Sequence, residues 1–299
     1  MTEEEAKRLE EMALTLSASG VYRVLRKLAP RARVAVEPGT PTRTGLFVDV
    51  ETTGHDAETD EIIEIAIVPF IYALDGRIID VGEPFQSFRD PGRAIPPEVI
   101  ALTGITDAMV ADQTIDLTTL EGMVAPAALV VAHNAAFDRR FIERLCPAFA
   151  GKPWACSMTE VDWVAEGFEG LKLAYLAMGA GFFYDRHRAA NDCLAAIELL
   201  AMPLPHSGTI AMSRLLARAR SVTWRIWAEG APFEHKDDLK RRGYRWSGDA
   251  GFRPRTWYID VPEEKQADEI AYLKATVLGA GKEPPVQRIT AYDRFSNRG

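Results

Sequence analysis

Leu46-Phe47-Val48-Asp49-Val50-Glu51-Thr52-Thr53-Gly54 is an apolar run that closes on a glycine turn, the pattern of a buried strand. Side chains of a strand alternate between its faces, so Asp49 and Glu51 project from the same side. Two carboxylates held that close repel each other and are costly to bury unless a hard divalent cation sits between them. An Asp-x-Glu tripeptide also occurs as two solvated acids at a strand end, and the tripeptide alone does not separate the two readings. The residues around it do.

A second apolar stretch, Ala128-Leu129-Val130-Val131-Ala132, leads into His133-Asn134-Ala135-Ala136-Phe137-Asp138. Asp138 therefore lies just past a strand, in the first turn of a helix over 135–145, where a lone acid would simply complement the helix dipole. A third stretch, His187-Arg188-Ala189-Ala190-Asn191-Asp192, opens an Ala/Leu-rich helix that runs to Ala201. His187, five residues ahead of Asp192, alone suits a structural hydrogen bond; with three acids it suits a general base.

These three stretches resemble the motifs of the DEDD exonucleases, in the branch whose fifth residue is histidine. That branch includes the proofreading subunit of the bacterial replicative polymerase. The sister branch carries tyrosine four residues before the last aspartate, where this chain has Arg188. The similarity spans roughly residues 44 to 202. Leu102-Thr103-Gly104-Ile105-Thr106 is similar to the segment that lines the 3′ end of the substrate in that family. The resemblance implies a ribonuclease H-like mixed α/β sheet with flanking helices and two Mg²⁺ or Mn²⁺ ions. Asp49, Glu51 and Asp192 would surround the first ion, Asp49 would bridge to the second, and Asp138 would support the second through water. His187 would take the proton from the attacking water. Thr52, Thr53, Leu102, Thr103, His133, Asn134 and Phe137 would lie against the substrate.

The reaction so implied is 3′-to-5′ hydrolysis of DNA phosphodiesters to 5′-mononucleotides, on single-stranded or frayed 3′ ends. An RNA-directed enzyme of the same fold shares every catalytic residue. A catalytically silent nucleic-acid-binding or polymerase-docking protein is a third reading, weakened by the presence of all five residues. The chain carries no polymerase or helicase motif, so coupling to replication would need a partner polymerase.

Composition agrees with a cytoplasmic location and no membrane association. The amino terminus, Met1-Thr2-Glu3-Glu4-Glu5, is acidic and precedes no continuous apolar core, unlike a signal peptide, and no later segment is apolar enough to span a bilayer. Cys146, Cys156 and Cys193 are odd in number and lack C-x-x-C spacing, which predicts reduced thiols rather than a disulfide framework or zinc site.

Charge and punctuation divide the chain into three segments. Residues 1–40 hold Leu9, Met12, Ala13 and Leu16, then Val21, Leu25 and Leu28, at helical spacing. This predicts an arm of two short amphipathic helices that pack on the rest. Residues 41–205 form the catalytic domain, with strands near 46–51, 62–70, 78–88, 128–133 and 154–156. Helices are expected near 97–102, 116–124, 135–145, 157–166, 171–178 and from 189. The Pro-rich stretch at 201–208 reads as a linker. Residues 206–299 form a small α+β module, with strands at 222–228 and 256–261, a basic helix over 236–242, and a helix from Pro262 to near Gly279.

Residues 1–205 hold 18 Lys and Arg against 31 Asp and Glu, whereas 206–299 hold 17 against 12, within a formal net charge of −8. The acidic part repels a polyanion, and the basic module would offset that. Lys236, Lys240, Arg241, Arg242, Arg245 and Trp246 interleave basic and aromatic residues, which suits a single strand with bases to stack on. The same pattern suits a core tryptophan beside a solvated basic helix.

Overall fold

The structure, a computed structural model, describes residues 2–186, 188–248, 255–279, 281–296 and 298. Its centre is a mixed sheet built on β2 (Thr42–Thr52). This strand pairs along eleven positions with antiparallel β3 (Ile62–Ala73). On its other side lies parallel β6 (Leu129–Ala132), followed by parallel β7 (Trp154–Cys156). The expected strand at 78–88 is two, β4 (Ile78–Val81) and β5 (Phe85–Phe88), both on the free edge of β3. The break falls at Gly82–Pro84, opposite Pro69. Two prolines without N–H donors cannot continue the ladder there.

Helices cover both faces of this sheet, as expected. One face packs on α6 (Leu173–Gly179), α7 (Ala189–Ala201) and α8 (Ala211–Arg220), through Phe47, Val68, Leu176, Leu200, Met212 and Leu215. The other packs on α4 (Leu117–Val124) and α5 (Ala135–Leu145), through Leu46, Val48, Leu120, Phe141 and Trp154. The short α2 (Pro97–Thr103) and α3 (Asp107–Val110) cap a smaller cluster around Ile63 and Ile105. No helix forms over 157–166. That segment folds back on itself, with the Trp163 indole donating to the Ser157 carbonyl (2.7 Å) and Glu160 accepting from the Cys156 N–H (2.9 Å).

The arm contains one helix, not two. Helix α1 (Glu3–Ala18) buries no residue, and Leu9, Met12, Leu14 and Leu16 are exposed, so it does not pack on the catalytic part as expected. After Gly20 (φ +71°) the chain runs extended. Arg26–Lys27 (β1) pairs in parallel with Phe182–Phe183 (β8), and Leu28 reaches the core from an extended rather than a helical backbone.

Beyond residue 205, α8 is absent from the sequence reading, yet its apolar face is part of the central core. A four-stranded antiparallel sheet follows, ordered β10 (Arg245–Trp246), β11 (Trp257–Pro262), β9 (Thr223–Ala228), β12 (Val286–Ile289). Helices α9 (Lys236–Arg241) and α10 (Gln266–Tyr272) complete it over a core of Ile226, Leu239, Tyr244 and Leu273. After β12 the chain returns to α5. The fully buried Arg139 guanidinium donates to the carbonyls of Ala291 (3.3 Å), Tyr292 (2.7 Å) and Arg294 (2.6 Å), and to Glu143 (2.6 Å). The three cysteines are buried and unpaired. Among the described residues, no helix is long and apolar enough to cross a membrane.

Candidate active site

Strand β2 places Asp49 and Glu51 at its carboxyl end, on the face that carries Phe47 and meets α7. Helix α7 brings Asp192 to them in its first turn. One carboxylate oxygen from each of Asp49, Glu51 and Asp192 lies within 4.8 Å of the others. Helix α5, entered from β6 through Asn134 in a left-handed conformation (φ +87°), sets Asp138 beside the same strand end. The Val50 N–H donates to Asp138 Oδ1 (3.2 Å), tying α5 to β2. These four acids, with Val50, His133, Asn134 and Phe137, line a cavity of about 190 Å³. Parallel strands β2 and β6 both point their carboxyl ends at it, the usual place for a site in an α/β sheet.

The acids strain against one another. Burial raises Asp49 well above the ordinary carboxylate range, and the charges of Asp138, Asp192, Glu51 and Glu64 push it the same way. Glu51 is pushed up to about 7 by burial and by Asp192 and Glu64, against the pull of Arg188. Asp138 rises to about 8, mainly through burial, although the Val50 N–H opposes the shift. Arg188, which pairs with Glu64 (3.7 Å), relieves only part of the crowding at Glu51. Three carboxylates crowded this closely offer all-oxygen ligation, which fits a hard divalent metal ion, and the acidic cluster of this family is a divalent-metal site. Asp138 lines the same cavity, and among the neighbouring charges it weighs most on Asp49.

The histidine that lines this cavity is unsuited to accept a proton. His133 Nε2–H donates to the Leu171 carbonyl (2.8 Å), so its Nδ1 accepts from the Ser157 hydroxyl (2.9 Å). Burial lowers its pKa to about 4. His187 lies outside the described residues.

The remaining expected substrate contacts divide. Asn134 and Phe137 face the cavity. Thr52 and Thr53 do not line it; their hydroxyls shape the turn after β2. Thr52 donates to the Gly54 carbonyl (2.6 Å), while Thr53 bonds Asp60 (3.0 Å), Arg93 (2.7 Å) and the Glu61 N–H (3.0 Å). Gly54 leaves room for the Asp60 carboxylate, which a Cβ would push away from Thr53 and Arg93. Thr103 closes α2, donating to Val99 O (2.9 Å) and accepting from Ile105 N–H (3.1 Å). Its neighbour Leu102 is exposed at the tip of that helix, outside the cavity lining.

The basic module residues are more committed than their sequence pattern suggests. Arg242 pairs with buried Glu269 (2.8 Å) and stacks 3.8 Å over Tyr272. Arg241 pairs with Asp238, and Arg245 with Asp260 (2.7 Å) over the Tyr258 ring. Lys236 sits 4.3 Å above the exposed Phe233 ring, Lys240 is exposed, and Trp246 is half exposed against Trp257. None of the six lines the acidic cavity.

Two groups at the site escaped the sequence reading. Tyr184 donates its hydroxyl to Asp192 Oδ1 (2.7 Å). Glu64, opposite Glu51 on β3 and fully buried, accepts from Gln86, from the Ala189 N–H (3.2 Å) and pairs with Arg188 (3.7 Å). A lone glutamate inside Ile62-Ile63-Glu64-Ile65-Ala66-Ile67 was a signal for the second, since an unpaired acid is almost never fully buried. Nothing in the sequence marks Tyr184.

A mixed sheet that presents clustered carboxylates at its strand ends, with helices on both faces, defines a ribonuclease H-like architecture. The family model described as Exonuclease matches residues 46–200, and the chain belongs to that family. Among curated relatives, it is 32% identical over 163 residues to the DNA polymerase III subunit epsilon of Aquifex aeolicus, covering 52% of this chain and 78% of that protein. It is 35% identical over 159 residues to the DNA polymerase III PolC-type of Clostridium perfringens, covering 51% of this chain and only 10% of that protein. Among solved structures, Escherichia coli exonuclease I in complex with a dT13 oligonucleotide shares the fold. Its TM-score is 0.51 at 15% identity, covering 74% of this chain and 63% of that one.

Proposed function

We propose that this protein is a 3′-to-5′ exonuclease of the histidine branch, hydrolysing DNA from a 3′ end with release of 5′-mononucleotides. The observation that carries the reading is the convergence of Asp49, Glu51 and Asp192 within 4.8 Å, in a chain of the exonuclease family. Similarity to DNA polymerase III epsilon subunits supports DNA as the substrate and a polymerase as a candidate partner.

Asp49, Glu51 and Asp192 would hold a divalent ion, with Asp138 facing a second; hard oxygen donors favour Mg²⁺ or Mn²⁺. Two such ions, when bound, neutralise the charge that develops on a phosphodiester under attack by water. His187 would accept the proton of that water, a task closed to His133 by its two committed ring nitrogens. Asn134 and Phe137 would border the terminal nucleotide, and Leu102, exposed at the end of α2, would press on its base. Lys236, in contact with the exposed Phe233 ring, and the exposed Lys240 would meet a distant phosphate.

The test is degradation of end-labelled DNA and RNA oligomers, single- and double-stranded, with Mg²⁺, Mn²⁺ or EDTA. Stepwise shortening of DNA from the 3′ end with either metal, abolished by EDTA, is the expected result. Faster shortening of RNA would move the substrate to RNA. Cleavage unaffected by chelator would overturn the metal-dependent reading.

A further inference from the structure

We propose that Tyr184 is a positioning residue for Asp192, and that the amino-terminal arm holds Tyr184 in place. The inference rests on the metal-site reading above. An ionised carboxylate offers two equivalent oxygens and turns easily about its last torsion. The Tyr184 hydroxyl fixes one of them, Oδ1, at 2.7 Å. The Asp192 carboxylate is thereby oriented while the same side chain keeps an oxygen within 4.8 Å of ligand atoms of Asp49 and Glu51. Tyr184 itself is buried, with its ring in the central core among residues of α7. It lies eight residues before Asp192, so it does not occupy the tyrosine place of the sister branch, which is Arg188 here.

What stations Tyr184 is the short strand just before it. Strand β8 has two residues, too few to hold a position alone. The arm supplies its ladder: Arg26 N–H donates to Gly181 O (3.0 Å) and Leu28 N–H to Phe183 O (2.8 Å). Lys27 adds an ion pair to Asp185 (2.8 Å), on the far side of Tyr184. The path thus runs from the arm through β8 to the hydroxyl that orients a metal-ligating carboxylate. Groups that orient metal ligands from behind typically change metal affinity 10- to 100-fold when removed.

The experiment measures Mn²⁺ binding by electron paramagnetic resonance on the full chain, independently of nuclease activity. Tyr184→Phe keeps the ring in the core and removes only the hydroxyl. It should bind Mn²⁺ about 10-fold more weakly, require correspondingly more metal for half-maximal activity, and melt within a few degrees of wild type in EDTA. Arg26→Pro leaves Tyr184 intact but deletes the N–H given to Gly181, together with the exposed ion pair to Glu10; with its melting temperature in EDTA measured alongside, it should weaken Mn²⁺ binding in the same direction by a smaller factor. Wild-type affinity in Tyr184→Phe would overturn the positioning role, and wild-type affinity in Arg26→Pro would overturn the part assigned to the arm. Absence of Mn²⁺ binding by the wild-type chain is a different result and would overturn the underlying metal reading.

Discussion

Each acid at the site is explained by where its backbone puts it. Asp49 and Glu51 share a face because they are two apart on a strand, and Asp138 and Asp192 each fall in a helix's first turn, where the dipole tolerates a negative charge. The cost is mutual repulsion under burial, greatest at Asp49, which faces four other carboxylates. Asp49→Ala should therefore abolish hydrolysis while leaving the melting temperature in EDTA unchanged or raised; retained activity would show that the trio is not the metal site. His187→Ala should lose on the order of 10²- to 10⁴-fold in rate, the usual worth of a general base, while Mn²⁺ binding persists. A wild-type rate for that variant across pH 6 to 9 would make the histidine structural. These residues are readable from sequence because each sits in a short motif with fixed local geometry. Tyr184 is not, since a tyrosine eight residues before Asp192 belongs to no such motif, and Glu64, marked only as a lone acid in an apolar strand, takes its part from Arg188 and the Ala189 N–H far along the chain. Thr53 and Thr103 show the converse: their hydroxyls, expected near substrate, are consumed by local turns, a use that short polar side chains serve as readily as binding.

At the level of elements, β2, β3, β6, α5 and α7 are legible because their apolar patterns match burial on one or both faces. The arm is not. Val21, Leu25 and Leu28 have helical spacing, but the segment gains more by pairing with the bare edge of β8 than a short isolated helix would give. Helix α8 is hidden behind the Pro203 and Pro205 punctuation, although Met212, Leu215, Leu216 and Ala219 carry a clear stripe that ends in the central core. The tail is the largest omission. Residues 291–294 saturate the buried Arg139 guanidinium on the helix that bears Asp138, and Arg294 itself reaches Glu160 (2.7 Å). Arg139→Met would strand those carbonyls, while Glu143 keeps its pair with Arg298 (2.7 Å), at a cost of about 1–3 kcal/mol for a buried acceptor left without its donor. Urea unfolding of the variant against wild type measures it; a loss below about 1 kcal/mol, the usual ceiling for an exposed pair, would mean that the tail is held by other contacts.

Across the whole molecule, the acids that form the cavity also set the response to pH. Burial and mutual repulsion raise Asp49, Glu51 and Asp138 in the folded protein, Glu51 to about 7 and Asp138 to about 8. In the unfolded chain such groups titrate near 4. Between pH 4 and 8 the metal-free folded state therefore binds more protons than the unfolded state, and stability falls as pH rises through that window. This is opposite in sign to an acid held low by a salt bridge. A divalent ion reverses the trend, because it takes the place of the protons and binds the ionised carboxylates most strongly at high pH. In EDTA the melting temperature should accordingly drop between pH 5 and 8.5. The gain on adding Mg²⁺ or Mn²⁺ should grow over the same range and be accompanied by proton release in a weakly buffered titration. Asp49→Asn, which removes the most crowded charge, should flatten the EDTA curve and shrink the metal-induced gain together. A melting temperature in EDTA that is constant or rising from pH 5 to 8.5 would show that these carboxylates stay ionised without metal, and that the cavity is neutralised in some other way.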